Sequence, residues 1–393
     1  MNKVYITSAY RSPIGSLGGG LSQISAPELG SQVIKKCMEH SKLSSSDPSM
    51  VLMGNVLTTG VGQNPARQAA IKAGIDKDKT ATTINQVCGS GLTSVAHGFN
   101  MIKCEDANIV IAGGQENMSL SPHYMHLRKS TKMGDNQMKD SMIIDGLWDV
   151  YNDYHMGITA ENVAKKYSIT RDEQDQFALN SQFKAQDAIN SGRFTDEIVS
   201  ITGKFKKDDL VLSKDEHPKS TLSIEKLSRL KSVFKKDGTV TAGNSSGIND
   251  GAAALILMNE SELKKRNLKP LAEIVSWSEY GVDPSIMGTG PIPASQSAIK
   301  KAGWKIEDLD LVELNEAFAA QSVAVIKELK LNSEIVNVNG GAISLGHPIG
   351  ASGARILVTL IHEMNKRKAK KGLAGLCIGG GMGIAMCIQK PEI

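Results

Sequence analysis

Residues 88–102 read CGSGLTSVAHGFNMI, and residues 350–364 read GASGARILVTLIHEM. Each opens on small residues around a Ser-Gly pair and runs on as an apolar stretch with helical spacing. The pairs Ser90-Gly91 and Ser352-Gly353 lie 262 positions apart. The order of elements around them says what this likeness means. Before the first, MVLMGNVL (50–57) reads as a short buried strand, ARQAAIKAGI (66–75) as a helix and TTINQV (82–87) as a strand. After it, ANIVIAGG (107–114) reads as a further strand. Around the second, DLVELNEAF (310–318) reads as strand then turn, AAQSVAVIKELKL (319–331) as a helix and IVNVNGG (335–341) as strand-like. GLAGLCIGGG (372–381) then reads as a strand ending in glycines.

The matching order points to an internal duplication. Val51 and Val312 are 261 positions apart, while Gly113-Gly114 and Gly379-Gly380 are 266 apart, a drift that loop insertions produce. Strands alternating with helices predict two α/β halves with mixed or parallel sheets. The first half is expected over 1–118, completed by about 248–269, and the second over 270–393. Residues 119–247 hold most of the long charged stretches, including KFKKDDLVLSKDEHPKS, and have no repeat partner. They read as an inserted loop domain covering a site that the two halves build. NSSGINDGAAALILMNES (244–261) then returns to a buried strand.

The bulk properties exclude several classes. The chain has 393 residues, 40% hydrophobic and 22% charged, enough for two or three domains with a real core. A net charge of +4 and aromatics at 4% argue against nucleic acid, while phosphates on a small ligand would suit the charge. The apolar run AAALILM (252–258) is far short of a membrane span. MNKVYITSAY lacks the apolar core of a signal peptide. The five cysteines form no CxxC pair, so a reduced, cytoplasmic protein is expected.

Cys88 sits between a predicted strand and a Gly-Ser-Gly helix start. There the positive end of the helix dipole is expected to favour thiolate, and the glycines leave room for an electrophile. His347 precedes Pro348 at the second helix start. If the halves pack about a pseudo-twofold axis, the two starts converge and bring an imidazole to a thiol, which activates a cysteine nucleophile. Cys377 ends the last strand before the glycine run 379–381; on the 266 spacing its first-half partner is Ile111. A second thiol there could move protons, and exposed glycine amides could hold an oxyanion. Asn315 stands at a strand C-terminus, where α/β sites form. His123 and His126 have no accompanying ligand cluster, so no metal is expected. No dinucleotide or phosphate-loop fingerprint is present.

These residues fall within blocks that resemble the thiolases from end to end. The blocks are AYRSPIG, INQVCGSGL, AGGQENMS, YHMGITAENVA, TVTAGNSSGINDGAAA, LNEAFAAQ, NVNGGAISLGHPIGASGARI and CIGGGMG. Among thiolases the chain resembles the short-chain acetyl-CoA acetyltransferases. The resemblance implies two duplicated α/β halves with mixed five-stranded sheets in a layered αβαβα core. It implies Claisen condensation of two acetyl-CoA to acetoacetyl-CoA, and its reverse, with coenzyme A as substrate and no permanently bound cofactor. A cytoplasmic homotetramer, a dimer of dimers, is implied as well.

Cys88 would then carry the acyl group and His347 would deprotonate it. Cys377 would remove the α-proton of the attacking acetyl group. Asn315 would hold a water that forms one oxyanion hole with His347; the amides of Cys88 and Gly379 would form the other. Ser246 would meet the pantetheine arm, and His155 and Met156 would line the acyl pocket with Phe318. Ala317 and Lys219 complete the expected coenzyme A contacts, with Arg229 and Lys231 as alternative phosphate partners. A degradative 3-ketoacyl-CoA thiolase for longer chains would share the catalytic set. A silent acyl-CoA-binding relative would lose part of it. If Cys88 and Cys377 converge as accessible, low-pKa thiols, oxidation is expected to join or block them.

Overall fold

ANIVIAGG and GAAALILM show no polar alternation, the mark of strands covered on both faces. In the computed structural model, which describes residues 3–128 and 132–392, both are strands buried along nearly their whole length. The main strands are β1 (Val4–Arg11), β2 (Met50–Gly54), β3 (Thr80–Ile84), β4 (Ile109–Asn117), β5 (Asn249–Asn259), β6 (Ala272–Gly281), β7 (Leu311–Leu314), β8 (Lys371–Ile378) and β9 (Met382–Gln389). They are ordered β7-β8-β9-β6-β1-β5-β4-β2-β3.

The duplication is visible in the pairing. In the first half β3, β2 and β4 run parallel, and β5 and β1 follow antiparallel. In the second half β7 and β8 are parallel, and β9 and β6 follow antiparallel. Val51 pairs with Ile111, and Val312 with Leu373. With Val51 matched to Val312, Ile111 therefore matches Leu373, a spacing of 262 that agrees with the Ser-Gly pairs. On this register the first-half partner of Cys377 is Gln115, not Ile111, and the 266 spacing of the glycines is not kept.

The two expected sheets are hydrogen-bonded edge to edge, because Val4–Ile6 of β1 pairs with Ala272–Ile274 of β6. Among the described residues the second half has four main strands, its fifth reduced to a single bridge between Val336 and Val312. Positive φ at Asn337 (44°) and Gly340 (80°) breaks IVNVNGG. The Asn337 side chain supplies the missing ladder instead: its Oδ1 accepts from Leu314 N at 2.8 Å and its Nδ2 donates to Leu314 O at 2.8 Å.

Helices Ser90–Lys103 and Ile349–Arg367 lie at the centre, the latter buried on almost every side and touching β4 and β5 of one half and β7 and β8 of the other. Their glycines cross. A Cβ on Gly353 would lie 2.5 Å from Leu92 N, and one on Gly91 2.8 Å from Ala354 N. Helices Ala26–His40 and Pro65–Lys72 cover the first half's outer face, and Pro291–Lys301 covers the second's. Where β8 and β9 are joined by residues 379–381 alone, β4 and β5 are separated by 118–248. Among the described residues no helix is long and apolar enough to cross a membrane.

Candidate active site

The turn from β3 into the first central helix shapes the surroundings of Cys88, the expected nucleophile. Ser90 braces it: the hydroxyl accepts from Gln86 N at 2.8 Å and donates to Val87 O at 2.6 Å. Cys88 follows Val87, is 8% exposed, and the Gly379 amide faces its sulfur. Burial nevertheless pushes the thiol up to about 11. The expected thiolate is thus not the resting form, because desolvation outweighs the dipole and the amide together. A base must therefore share the site.

His347 follows Gly346, whose φ is 107°, and precedes Pro348, the N-cap of helix Ile349–Arg367. Its backbone N donates to Asn249 Oδ1 at 2.9 Å. Two contacts fix the ring. Nδ1 lies 2.6 Å from Ser352 Oγ, which donates its hydrogen to Pro348 O at 2.9 Å. Ser352 thus accepts from Nδ1–H, leaving Nε2 unprotonated, 3.4 Å from the Asn315 amide nitrogen. Burial, then the Arg355 charge, hold the imidazole down to about 3, so it is neutral. The helix start is tied to the first half by Glu116, which accepts from Gly350 N at 2.9 Å and Asn55 Nδ2 at 2.7 Å.

Cys88, His347 and Gly379 line a cavity of about 570 Å³. Ser246, Lys219, His155, Met156, Ala317 and Phe318 line it too. Asn315 and Cys377 stand behind its wall. Cys377 is fully buried in an apolar cluster with Met156, Met287 and Phe318. Burial and the Cys88 thiol beside it push Cys377 well up. Both sulfurs are therefore buried thiols rather than the exposed, low-pKa pair from which ready oxidation is expected. Arg229 and Lys231 are exposed and outside the lining.

Several lining residues carried no sequence signal. Phe234 stacks on His155 with centroids 4.6 Å apart and meets Phe318 edge-on at 6.3 Å. Its ring lies where a Cβ on Gly157 would be, at 2.2 Å, so that glycine is required for the stack. His217 packs on Gly247 beside Ser246, and burial, then Lys219, lower it to about 4. Asn249 and Ser352, which set the His347 backbone and ring, were also missed. His123 is a surface residue whose Nε2 is 3.8 Å from Asp140 Oδ2. Among the described residues no group of three or more His, Cys, Asp or Glu is placed to hold a metal.

The chain matches two family descriptions, thiolase N-terminal domain over residues 4–261 and thiolase C-terminal domain over 268–390. Acetyl-CoA acetyltransferase of Paracoccus denitrificans is 55% identical over 391 residues, 100% of this chain and 100% of that one. Acetyl-CoA acetyltransferase of Chromobacterium violaceum is 57% identical over 391 residues, 99% of this chain and 100% of that one. The crystal structure of the Bacillus anthracis acetyl-CoA acetyltransferase superposes with a TM-score of 0.97 at 45% identity, covering 99% of each chain. Human mitochondrial 3-ketoacyl-CoA thiolase in complex with CoA superposes at 0.96 and 43% identity, covering 100% of this chain and 98% of that one.

Proposed function

This chain belongs to the thiolase family, and from that premise we propose that it is an acetyl-CoA C-acetyltransferase. It joins two acetyl-CoA molecules into acetoacetyl-CoA and coenzyme A, and runs the reverse thiolysis. The observation that carries this is the cavity wall on which a buried thiol, a neutral imidazole with free Nε2 and the Gly379 amide stand together. The full-length identity to acetyl-CoA acetyltransferases supports the substrate.

The proton balance follows from the raised thiols. Nε2 of His347 takes the Cys88 proton as the sulfur attacks the thioester carbonyl. The oxyanion is stabilised by the amides of Cys88 and Gly379. The carbon–sulfur bond to coenzyme A breaks, and the leaving thiolate takes the Cys377 proton. Cys377 is then a thiolate only while Cys88 carries the acetyl group. In the second half-reaction Cys377 removes an α-proton from a second acetyl-CoA, whose carbanion attacks the acetyl carbon. His347 returns its proton to Cys88. A water held by Asn315, together with His347, would face the enolate oxygen. Ser246 and Ala317 meet the pantetheine arm, and Lys219 faces the phosphates. His155, Met156 and Phe318 close the acyl pocket. A cytoplasmic homotetramer, a dimer of dimers, completes the reading.

The test is a comparison of thiolysis rates for acetoacetyl-CoA and 3-ketohexadecanoyl-CoA. Acetoacetyl-CoA is expected to dominate; comparable rates would give the chain to the longer-chain thiolases. Mass spectrometry after mixing with acetyl-CoA should find the acetyl group on Cys88, and a folded protein without that adduct would be a binding protein.

A further inference from the structure

Among the described residues, Val87 is the one β-branched residue with left-handed backbone, at φ 46°. A branched Cβ crowds the carbonyl in this region, and glycine would adopt it freely. The same site uses glycine for the purpose nearby, at Gly380 (φ 88°) and Gly381 (φ 86°). A valine immediately before Cys88 therefore costs stability and needs a separate reason.

The surroundings supply one. Val87 N–H donates to Asn85 Oδ1 at 3.0 Å. Val87 O accepts from Ser90 N at 3.1 Å and Ser90 Oγ at 2.6 Å, so the turn is held from both sides. The side chain packs against the core cluster that contains Cys88 and Ile378. Its Cγ1 lies 3.3 Å from where a Cβ on Gly379 would sit. The Val87 side chain thus stands beside Gly379, whose amide faces the Cys88 sulfur. Gly379 is followed by two glycines with positive φ and has no side chain of its own to anchor it.

We propose that Val87 is a positioning residue: its left-handed backbone aims Cys88 into the cavity, and its isopropyl group holds the Gly379 amide on the Cys88 sulfur. This rests on Cys88 being the nucleophile of the reaction proposed above. Of the titratable groups around Cys88, Glu116 and Cys377 couple to it electrostatically and His347 lines the same cavity; substitution at position 87 replaces none of them.

Val87→Gly relieves the backbone and removes the wedge, so stability and alignment should part company. The melting temperature is expected to stay within about 3 °C of the parent. In acetoacetyl-CoA thiolysis kcat should fall about tenfold or more with KM within about twofold. The pH midpoint for iodoacetamide alkylation of Cys88 should rise by about half a unit or more, because the lost amide favoured thiolate. Val87→Ile, which keeps the branched wedge, should restore kcat and the alkylation profile. Unchanged kcat and alkylation in Val87→Gly would overturn the proposal. So would losses that merely track a fall in melting temperature, since Val87 would then be packing alone. If the parent itself turns over no acetoacetyl-CoA, the proposed reaction fails while the alkylation arm still decides Val87.

Discussion

The chemistry at residue scale turns on His347 being neutral. A histidine in water takes up its proton near pH 6.5; this one is held down to about 3 by burial and Arg355. Cys88 keeps its proton up to about 11. The pair proposed to react, a neutral imidazole and a protonated thiol on one cavity wall, therefore persists across the whole neutral range. The rate of Cys88 acetylation by acetyl-CoA, measured by rapid quench, should be flat from about pH 5 to about pH 9, with no acidic limb centred near 6.5. The linkage has a definite sign. Below pH 6.5 the unfolded chain protonates this histidine and the folded chain does not. Folding stability thus falls as pH drops, by up to about 1.4 kcal/mol per unit. Between pH 6.5 and 5 the parent should lose up to about 2 kcal/mol more than His347→Asn in urea titrations. Equal losses would mean that His347 titrates normally.

At the scale of elements, what was legible is what the duplication had to preserve. Two helices can cross closely only if small residues sit at the contact, and GSG and GASG record that need in the sequence. The succession of strands and helices along each half was readable for the same reason. IVNVNGG is strand-like in sequence, and nothing in that pattern shows that the Asn337 amide stands in for a backbone ladder. The glycine spacing misled as well, since Gly379 and Gly380 open a three-residue turn while Gly113 and Gly114 lie inside β4. The crossing predicts a cost. In Gly353→Ala the new methyl meets the Leu92 backbone at 2.5 Å, which cannot rotate away as a side chain could. Overpacking of this kind should cost about 1–3 kcal/mol. Gly281→Ala, with its nearest neighbour 4.0 Å away, should stay within about 0.5 kcal/mol of the parent. Thermal melts of the two variants check the contrast. Thiolysis by Gly353→Ala should fall more than its folded fraction does, because the crossing sets Cys88 against His347.

At the scale of the molecule, the second half's short turn is the counterpart of a long insertion in the first, and that insertion supplies much of the cavity wall. This is where sequence reading ran out: Phe234 and His217 come from a segment with no repeat partner, so no internal comparison could single them out. The insertion must be fastened to the core, and Arg11 on β1 does this while fully buried. Its Nε donates to Glu197 Oε1 at 2.6 Å, and its Nη1 and Nη2 donate to Asp215 at 2.7 and 3.0 Å. Phe194 lies under the guanidinium with its centroid at 5.0 Å. Asp215 also accepts from Ile14 N at 2.8 Å, so one carboxylate serves three donors. Asp215→Ala leaves a buried guanidinium half paired and an amide without its acceptor. That loss should cost about 3–5 kcal/mol. Because Glu197 and Asp215 both belong to the insertion, the damage should begin there. Limited proteolysis is expected to cut the variant within residues 194–216 at temperatures where the parent resists, before the sheet melts by circular dichroism. Cleavage that starts only with global melting would show that the buried ion cluster stabilises the whole molecule rather than docking the insertion onto it.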